Sequence, residues 1–375
     1  MEESNIQVIE FGAYQAPKQE INLSSPIILN GYNNEYFHYI RECYSNSPTN
    51  SAIINGISNY IVGEGLIDSS NGSSVNKYIS KQDFRLIVQD YKTYGGCAIQ
   101  IIWNKAYDKV DKKPVAIKYL PIFKVGLNVN DEMEVNGYWY SFDWVSGRFE
   151  PKFYHKFDGS YKEEDPEIDT DRDIEILVIQ RPSSNDFFAN PDYQSGLPYA
   201  QLEAELANSA ISHVQNGFQG GAIINANNGV PPTEELKKEY RDKIVRKLTG
   251  TNNTNKLIVS FNENPEQAMT IDRIDVAERN DQYESFDKTA EEKLIVAHSV
   301  PPILFEGNRS GGGFSSNAEE IQTATQSLYR KVVHPAREVI LGGLQSVFNY
   351  INSGIILDVK DFDSFVEEDA DNTEE

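Results

Sequence analysis

EEKLIVAHSVPPILFEG at residues 291–307 and NAEEIQTATQSLYRKVVHPAREVI at 317–340, joined by NRSGGGFSS, decide how this chain is organised. Tyr283, Phe286, Ala290, Leu294 and Ala297 recur at helical spacing, so a long helix is predicted from Val276 to His298. Val300-Pro301-Pro302 ends it, because a residue preceding proline is driven out of the helical region. Gly307 to Ser316 then reads as a flexible loop whose glycines reach conformations other residues avoid. Asn317 and Glu320 have capping-box spacing, and Ile321, Ala324 and Leu328 open a second apolar face. Pro335 lacks an N–H and should kink that helix near His334, with the pattern resuming at Val339, Ile340, Leu344, Val347 and Ile351.

Upstream of this block, Leu202, Leu206, Ala210, Val214 and Phe218 fall at intervals of four, forming a helical face that must pack against something. Gly217, Gly220 and Gly221 close it. A strand at Ala222 to Ile224, a turn at Asn228-Gly229 and a returning strand at Leu257 to Phe261 bracket a helix capped by Thr233. Glu234 and Glu235 stand in that helix's first turn and basic residues in its last, as the helix dipole favours.

The N-terminal half has a different texture. Residues 1 to 30 show no sustained period and read as an irregular arm. Tyr32 to Leu66 turns helical, with Ile53, Ile54, Ile57 and Ile61 on one face and Gly63 and Gly65 as stops. Lys81 to Tyr94 is a second helix, with Phe84, Ile87, Val88 and Tyr91 sharing a face, and Ala98 to Trp103 a buried strand. Aromatic and β-branched residues broken by Asn136-Gly137, Ser146-Gly147 and Asp158-Gly159 then predict an antiparallel β region ending at Ile174 to Ile179. The fold class is α+β. From Asp358 the tail is acidic and is expected to be solvated.

Composition limits what such a chain does. Its 375 residues suffice for a sizeable core. Thirty-four basic against fifty-seven acidic residues give a net charge of −23, which opposes the phosphate binding that ordinary DNA-binding domains use. An acidic surface still suits a protein that lets a duplex pass without sticking. Cys43 and Cys97 have no Cys or His partner at metal-ligand spacing. MEESNIQVIE has no basic or apolar leader, and no run approaches a membrane span, so a soluble cytoplasmic protein without a membrane partner is expected.

Chemistry-bearing motifs are scarce. Asp169, Asp171 and Asp173 resemble the start of a calcium loop, but Ile174 replaces its turn glycine and Gln180 its bidentate Glu. The loop at 307–316 lacks the Lys-Ser/Thr ending of a phosphate-binding loop, and Gly63-Glu64-Gly65 lacks a third glycine. His298 and His334 lie beside apolar residues and read as structural. Neither a catalytic residue, a metal nor a cofactor is indicated.

The order of these segments, over about 300 residues, resembles that of portal proteins of tailed double-stranded DNA bacteriophages. ECYSNSPTNSAIINGISNYIVGEGL at 42–66 looks like their opening helix, and DFRLIVQDYKTYGGCAIQIIW at 83–103 like their helix, tyrosine-glycine and strand element. SGLPYAQLEAELANSAISHVQNGFQGGAII is similar to the segment in which a Gly-x-Pro turn opens a helix, and GTNNTNKLIVSF to their Gly-Asn-rich turn and strand. Val-Pro-Pro-x-Leu, the loop, and a helix with an interior proline are the most characteristic part.

The resemblance implies a non-enzymatic subunit of a ring, usually twelvefold, at one capsid vertex. It assigns an N-terminal arm to 1–30, a wing to 31–195, stem helices to 196–221 and 276–305, and a clip to 222–275. A tunnel loop falls at 306–316, a long kinked wing/crown helix at 317–352, and an acidic tail at 353–375 in place of a full crown. Gly307, Asn308, Arg309, Ser310, Gly311, Gly312, Gly313 and Phe314 would face the DNA channel. Lys237, Lys238, Arg241, Lys243, Arg246 and Lys247 would meet the packaging motor, the tail adaptor or exiting DNA. The implied partners are the terminase motor, a head-tail adaptor, the major capsid or scaffold protein and double-stranded DNA. The implied place is the virion, after assembly in the host bacterial cytoplasm. Two alternatives remain: another head-tail connector or capsid protein, and a metal-dependent enzyme using the carboxylates of the 163 to 173 region.

Overall fold

Serine side chains start two helices of the N-terminal half. In the computed structural model the helical run after Tyr32 is broken at Ser47 into α1 (Glu35–Asn46) and α2 (Pro48–Val62). Pro48 fits the first helical position because the N–H it lacks would have no partner there, and Ser47 Oγ accepts the Asn50 N–H at 3.1 Å. Ile53, Ile54, Ile57 and Ile61 are all buried, as their spacing predicts. Ser80 caps α3 (Lys81–Tyr94) by accepting from Asp83 N at 3.0 Å. Gly95, at φ 83°, closes α3 in the left-handed conformation.

The structure describes residues 17–362 apart from 20, 22–24, 105–112, 159–172, 186, 216–222, 227–232, 234, 237, 240–257, 262–275, 307–317 and 353; at 212–215, 223–226, 258–261, 276–282, 306 and 318 it describes the backbone only. Met1–Leu197 and Ile295–Glu375 form one unit, and Pro198–Leu294 a second.

The strands of the first unit's N-terminal part are β1 (Ile27–Ile28), β2 (Gly65–Asp68), β3 (Ser73–Ser74), β4 (Gly96–Trp103), β5 (Pro114–Leu120), β6 (Val125–Val129), β7 (Val135–Tyr140), β8 (Lys152–Lys156) and β9 (Ile174–Gln180). Seven make one sheet in the order β1-β6-β7-β8-β9-β4-β5. Three sequence expectations change here. β8 pairs β9 in parallel, so the region is not wholly antiparallel. Asn136-Gly137 lies inside β7, where a Cβ on Gly137 would run into the Phe153 ring. The turn comes earlier, where Asn130 Oδ1 accepts the N–H groups of Glu132 and Glu134. The end of the N-terminal arm is also not irregular, since Ile27 and Ile28 pair with β6.

In the second unit, α4 runs over Leu197–Gln215, its first residue belonging to the other unit, and β10 (Ile223–Ala226) pairs in parallel with β11 (Ile258–Phe261). α5 (Val276–Ala297) leads back to the first unit. There α6 (Pro302–Glu306), α7 (Ala318–Leu328) and α8 (His334–Ile351) follow. The kink expected at Pro335 takes the form of a π-helical turn over Tyr329–Val333, in which His334 N bonds back to Tyr329 O. Pro335 has no N–H to give, and widening the preceding turn accommodates it.

The acidic tail begins in a strand rather than in solvated chain, and its residues 363–375 lie outside the described residues. Leu357–Lys360 forms β12, antiparallel to β2, with Leu357 and Val359 buried while Asp358 and Lys360 face water. The charges occupy the outward half of a period-two pattern, so acidity did not prevent a strand. β12, β2 and β3 form a small second sheet.

α8 lies close on β9: a Cβ on Gly343 would stand 2.5 Å from Ile179 Cδ1, whereas Gly342 has open space around its missing Cβ. Gly343→Val is therefore expected to lower stability by about 1–3 kcal/mol through overpacking. Gly342→Ala should raise it by up to about 1 kcal/mol. Denaturant midpoints of the two variants check this, and equal shifts would contradict the packing.

Candidate functional site

Two places tie the segments flanking 198–294 and 307–317 into the first unit. The earlier one gathers around His298, just past α5. Its ring is 1% exposed and stacks on Tyr193, with centroids 4.3 Å apart and planes 19° apart. Its Nε2 donates to Asn50 Oδ1 at 2.8 Å, and Asn50 Nδ2 donates to Cys43 O at 3.2 Å. Tyr193 in turn donates to Thr93 O at 2.8 Å. Lys92 is buried and reaches Asp192 at 2.6 Å. The residues before α4 and after α5 are thus clasped to α1, α2 and α3.

Burial pushes the His298 imidazole well below its ordinary pKa, and neighbouring Lys92 pushes the same way, so His298 is neutral. Burial also lowers the Lys92 ammonium, against the opposing pull of Asp192. Asp90, buried on α3, is raised to about 7 by desolvation, although it accepts from Tyr119 OH and Ile122 N.

The second place flanks the 307–317 segment. α5 ends with Ser299 at φ 56°, Ser299 N bonding to Val296 O and Val300 N to Ile295 O. This Schellman pattern places an ordinary residue where glycine is usual, and Pro301-Pro302 then prevents continuation. Beyond α7, Arg337 on α8 is 6% exposed. Its Nε and Nη2 donate to Ile61 O at 3.0 Å and Tyr60 O at 2.6 Å, the last carbonyls of α2. Its Nη1 meets Asp361 at 2.6 Å, at the far end of β12.

Of the residues that the sequence singled out, Gly307, Asn308, Arg309, Ser310, Gly311, Gly312, Gly313 and Phe314 lie outside the described residues, as do Lys237, Arg241, Lys243, Arg246 and Lys247 and the cap Asn317. Lys238 is described: it is helical and exposed, and Thr233 Oγ1 accepts Leu236 N at 3.4 Å near that helix's start. Gly63-Glu64-Gly65 is the turn from α2 to β2. His334, expected to be structural, has a side chain 58% exposed. The acids of the 163 to 173 region lie outside the described residues except Asp173, which directly precedes β9. Among the described residues, no group of three or more His, Cys, Asp or Glu could hold a metal ion, and no helix is long and apolar enough to cross a membrane. Sequence reading missed Arg337, whose signal was a cation in an otherwise apolar helical stripe, and Asn50 and Tyr193, which carry no local signal.

No protein-family model and no curated protein matches the chain. Solved structures do. A chain in the neck of a native gene transfer agent particle, computed with C12 symmetry, aligns with a TM-score of 0.54 and 14% identity, covering 86% of this chain and 83% of that one. A chain in the virion of the native particle aligns at 0.51 and 15% identity over the same shares. An HK97-family phage portal protein from Corynebacterium diphtheriae covers 85% of this chain and 94% of its own, at 10% identity and a TM-score of 0.44. The chain therefore shares an α+β fold with chains of the gene transfer agent neck and virion.

Neutral His298 gives a pH dependence with a definite sign. Below about 6.5 the unfolded chain takes up a proton that the folded chain declines, so stability falls with pH by at most about 1.4 kcal/mol per unit. Asp90 acts oppositely, because a raised carboxyl takes its proton first in the folded state as pH falls below about 7. His298→Gln should remove the first slope and leave the second, so the gap between wild type and variant narrows from pH 7.5 to 5. Melting temperatures that run parallel across that range would show that His298 is not held neutral.

Proposed function

We propose that the protein is a portal subunit, a non-catalytic member of a closed ring at one vertex of a phage-type capsid through which the genome is packaged and ejected. The observation that carries this is the fold shared with virion-neck chains over 86% of the sequence. In this reading residues 31–195 supply the wing, 196–221 and 276–305 the stem, 222–275 the clip, 306–316 the tunnel loop, and 317–352, with α7, the π-turn and α8, the kinked wing/crown helix. β12 stands where a larger crown would begin. The ring would dock the terminase motor and a head-tail adaptor, sit within the major capsid or scaffold shell, and be assembled in the bacterial host cytoplasm before incorporation into the virion.

Exposed apolar side chains on the proposed stem support a ring. Ile211 on α4 is 55% exposed and Phe286 on α5 50% exposed, and Leu202 and Leu206 are only half-buried. Helices that leave such faces in water are suited to neighbours of the same kind. Light scattering of the purified protein is expected to give a multiple of the 42.4 kDa subunit mass, about twelvefold. A strictly monomeric species at high concentration would contradict the proposal.

Two sets of residues carry the DNA and docking roles. Gly307, Gly311, Gly312 and Gly313 would let the tunnel loop, with Asn308, Arg309, Ser310 and Phe314, approach the duplex, Arg309 offering phosphate contacts. Alanine at 311, 312 and 313 should spare assembly and lower packaged or retained DNA; a normally filled capsid would reduce the loop to a connector. Charge reversal at Lys237, Lys238 and Arg241, in the basic segment with Lys243, Arg246 and Lys247, should spare the ring and impair packaging or tail attachment. Normal infectivity would remove this docking role.

A further inference from the structure

α7 and α8 are not one continuous α-helix, and their buried faces explain why. At about 100° per residue, the face of Ala324 and Leu328 would point more than about 100° away from that of Ile340, Leu344, Val347 and Ile351. The π-turn takes in one extra residue and so returns about 100° of rotation. All six side chains are buried as a result. The turn therefore sets the rotational register of α7 against α8.

What holds the turn is a cluster of three side chains. Tyr329, its first residue, accepts from Arg337 Nη1 at 2.5 Å and donates to Asp361 Oδ2 at 3.1 Å. The guanidinium lies 5.1 Å from the Tyr329 ring centroid and is itself fixed by Tyr60 O, Ile61 O and Asp361. Burial raises the Tyr329 hydroxyl, so it keeps the proton it donates to Asp361. None of these contacts lies within the backbone ladder of the helix, so each can be broken without removing a helical residue.

We infer that Tyr329, Arg337 and Asp361 form a register lock: they keep α7 in the π-shifted register and so fix the rotation of α7 about its axis relative to α8. Without the lock, the turn can revert to ordinary α geometry. α7 would then rotate by about 100° and advance by about 1.5 Å, carrying Ala324 and Leu328 out of the buried face. The lock rests on the geometry of this unit. Only its consequence, a repositioned tunnel loop, rests on the portal reading. All three are positioning residues, since none is placed against DNA.

Thiol labelling tests the lock, because the native Cys43 and Cys97 are both buried and provide a silent background. Ala324 is 9% exposed and Thr323 is exposed, so Ala324→Cys should react slowly and Thr323→Cys fast in the otherwise unaltered chain. Adding Tyr329→Phe, which keeps the ring and removes only the hydroxyl, should speed labelling at 324 severalfold; Arg337→Gln should do so at least tenfold. Removing Lys331, which takes the extra residue out of the turn, should leave Ala324→Cys slow to react, because a continuous α-helix one residue shorter keeps the same rotation between the two buried faces. In each case Cys43 and Cys97 are expected to stay unreactive. An unchanged rate at 324 in the Tyr329→Phe and Arg337→Gln chains would overturn the lock, as would fast labelling at 324 in the Lys331-deleted chain or labelling of Cys43 in step with position 324, which marks general unfolding. Because labelling is measured without DNA, its failure leaves the portal reading standing, and a failed ring leaves the lock standing.

Discussion

A guanidinium with almost no access to water must have its donors answered inside the protein, and meeting that demand at Arg337 determines much of its surroundings. Two donors go to carbonyls at the end of α2, which no further turn of helix could satisfy. The charge is balanced by Asp361, reached only because β12 runs beside β2. The chain between α2 and β2 must then turn sharply, and Gly63, at φ 51°, leaves no room for a Cβ against Lys360 O. One side chain thus joins the early helix, the late helix, the π-turn and the C-terminal strand. Replacing it with a neutral residue would leave those carbonyls and Asp361 without their partner, the costly way to break a buried ion pair.

A similar logic holds at the junction with the second unit. Tyr193 precedes α4 and His298 follows α5, and they are stacked on each other and bonded to α2 and α3. The points where the chain leaves and re-enters the first unit are consequently among its most buried. Two buried polar groups, rather than apolar packing alone, make that junction specific in geometry.

The local parts of this architecture were legible from sequence and the non-local parts were not. α3 and the isoleucine face of α2 follow from helical spacing and serine caps, which involve neighbours within a turn. The parallel pairing of β8 and β9 depends on which strands meet, and spacing says nothing about that. Gly137 reads as a turn because Asn-Gly favours turns, yet here the missing side chain makes room for Phe153. Pro335 signalled a break, but the π-turn becomes apparent only when the faces on either side of it are compared. The strand at Leu357–Lys360 was missed because Asp358 was read without the alternating Leu357 and Val359. As to function, the loop glycines and the clip cations were singled out by composition and order. The contacts of Asn50, Tyr193, Arg337 and Asp361 form only in the folded chain.

The central claim is that copies of this chain surround a channel, with the segment between α6 and α7 lining it. Averaged electron-microscopy images of the assembled protein measure this most directly. The account predicts a closed ring with an axial hole wide enough for duplex DNA, narrowest at the level of residues 307–316. Rings whose narrowest point lies elsewhere would contradict the loop assignment, and particles with no axial hole would contradict the portal reading itself.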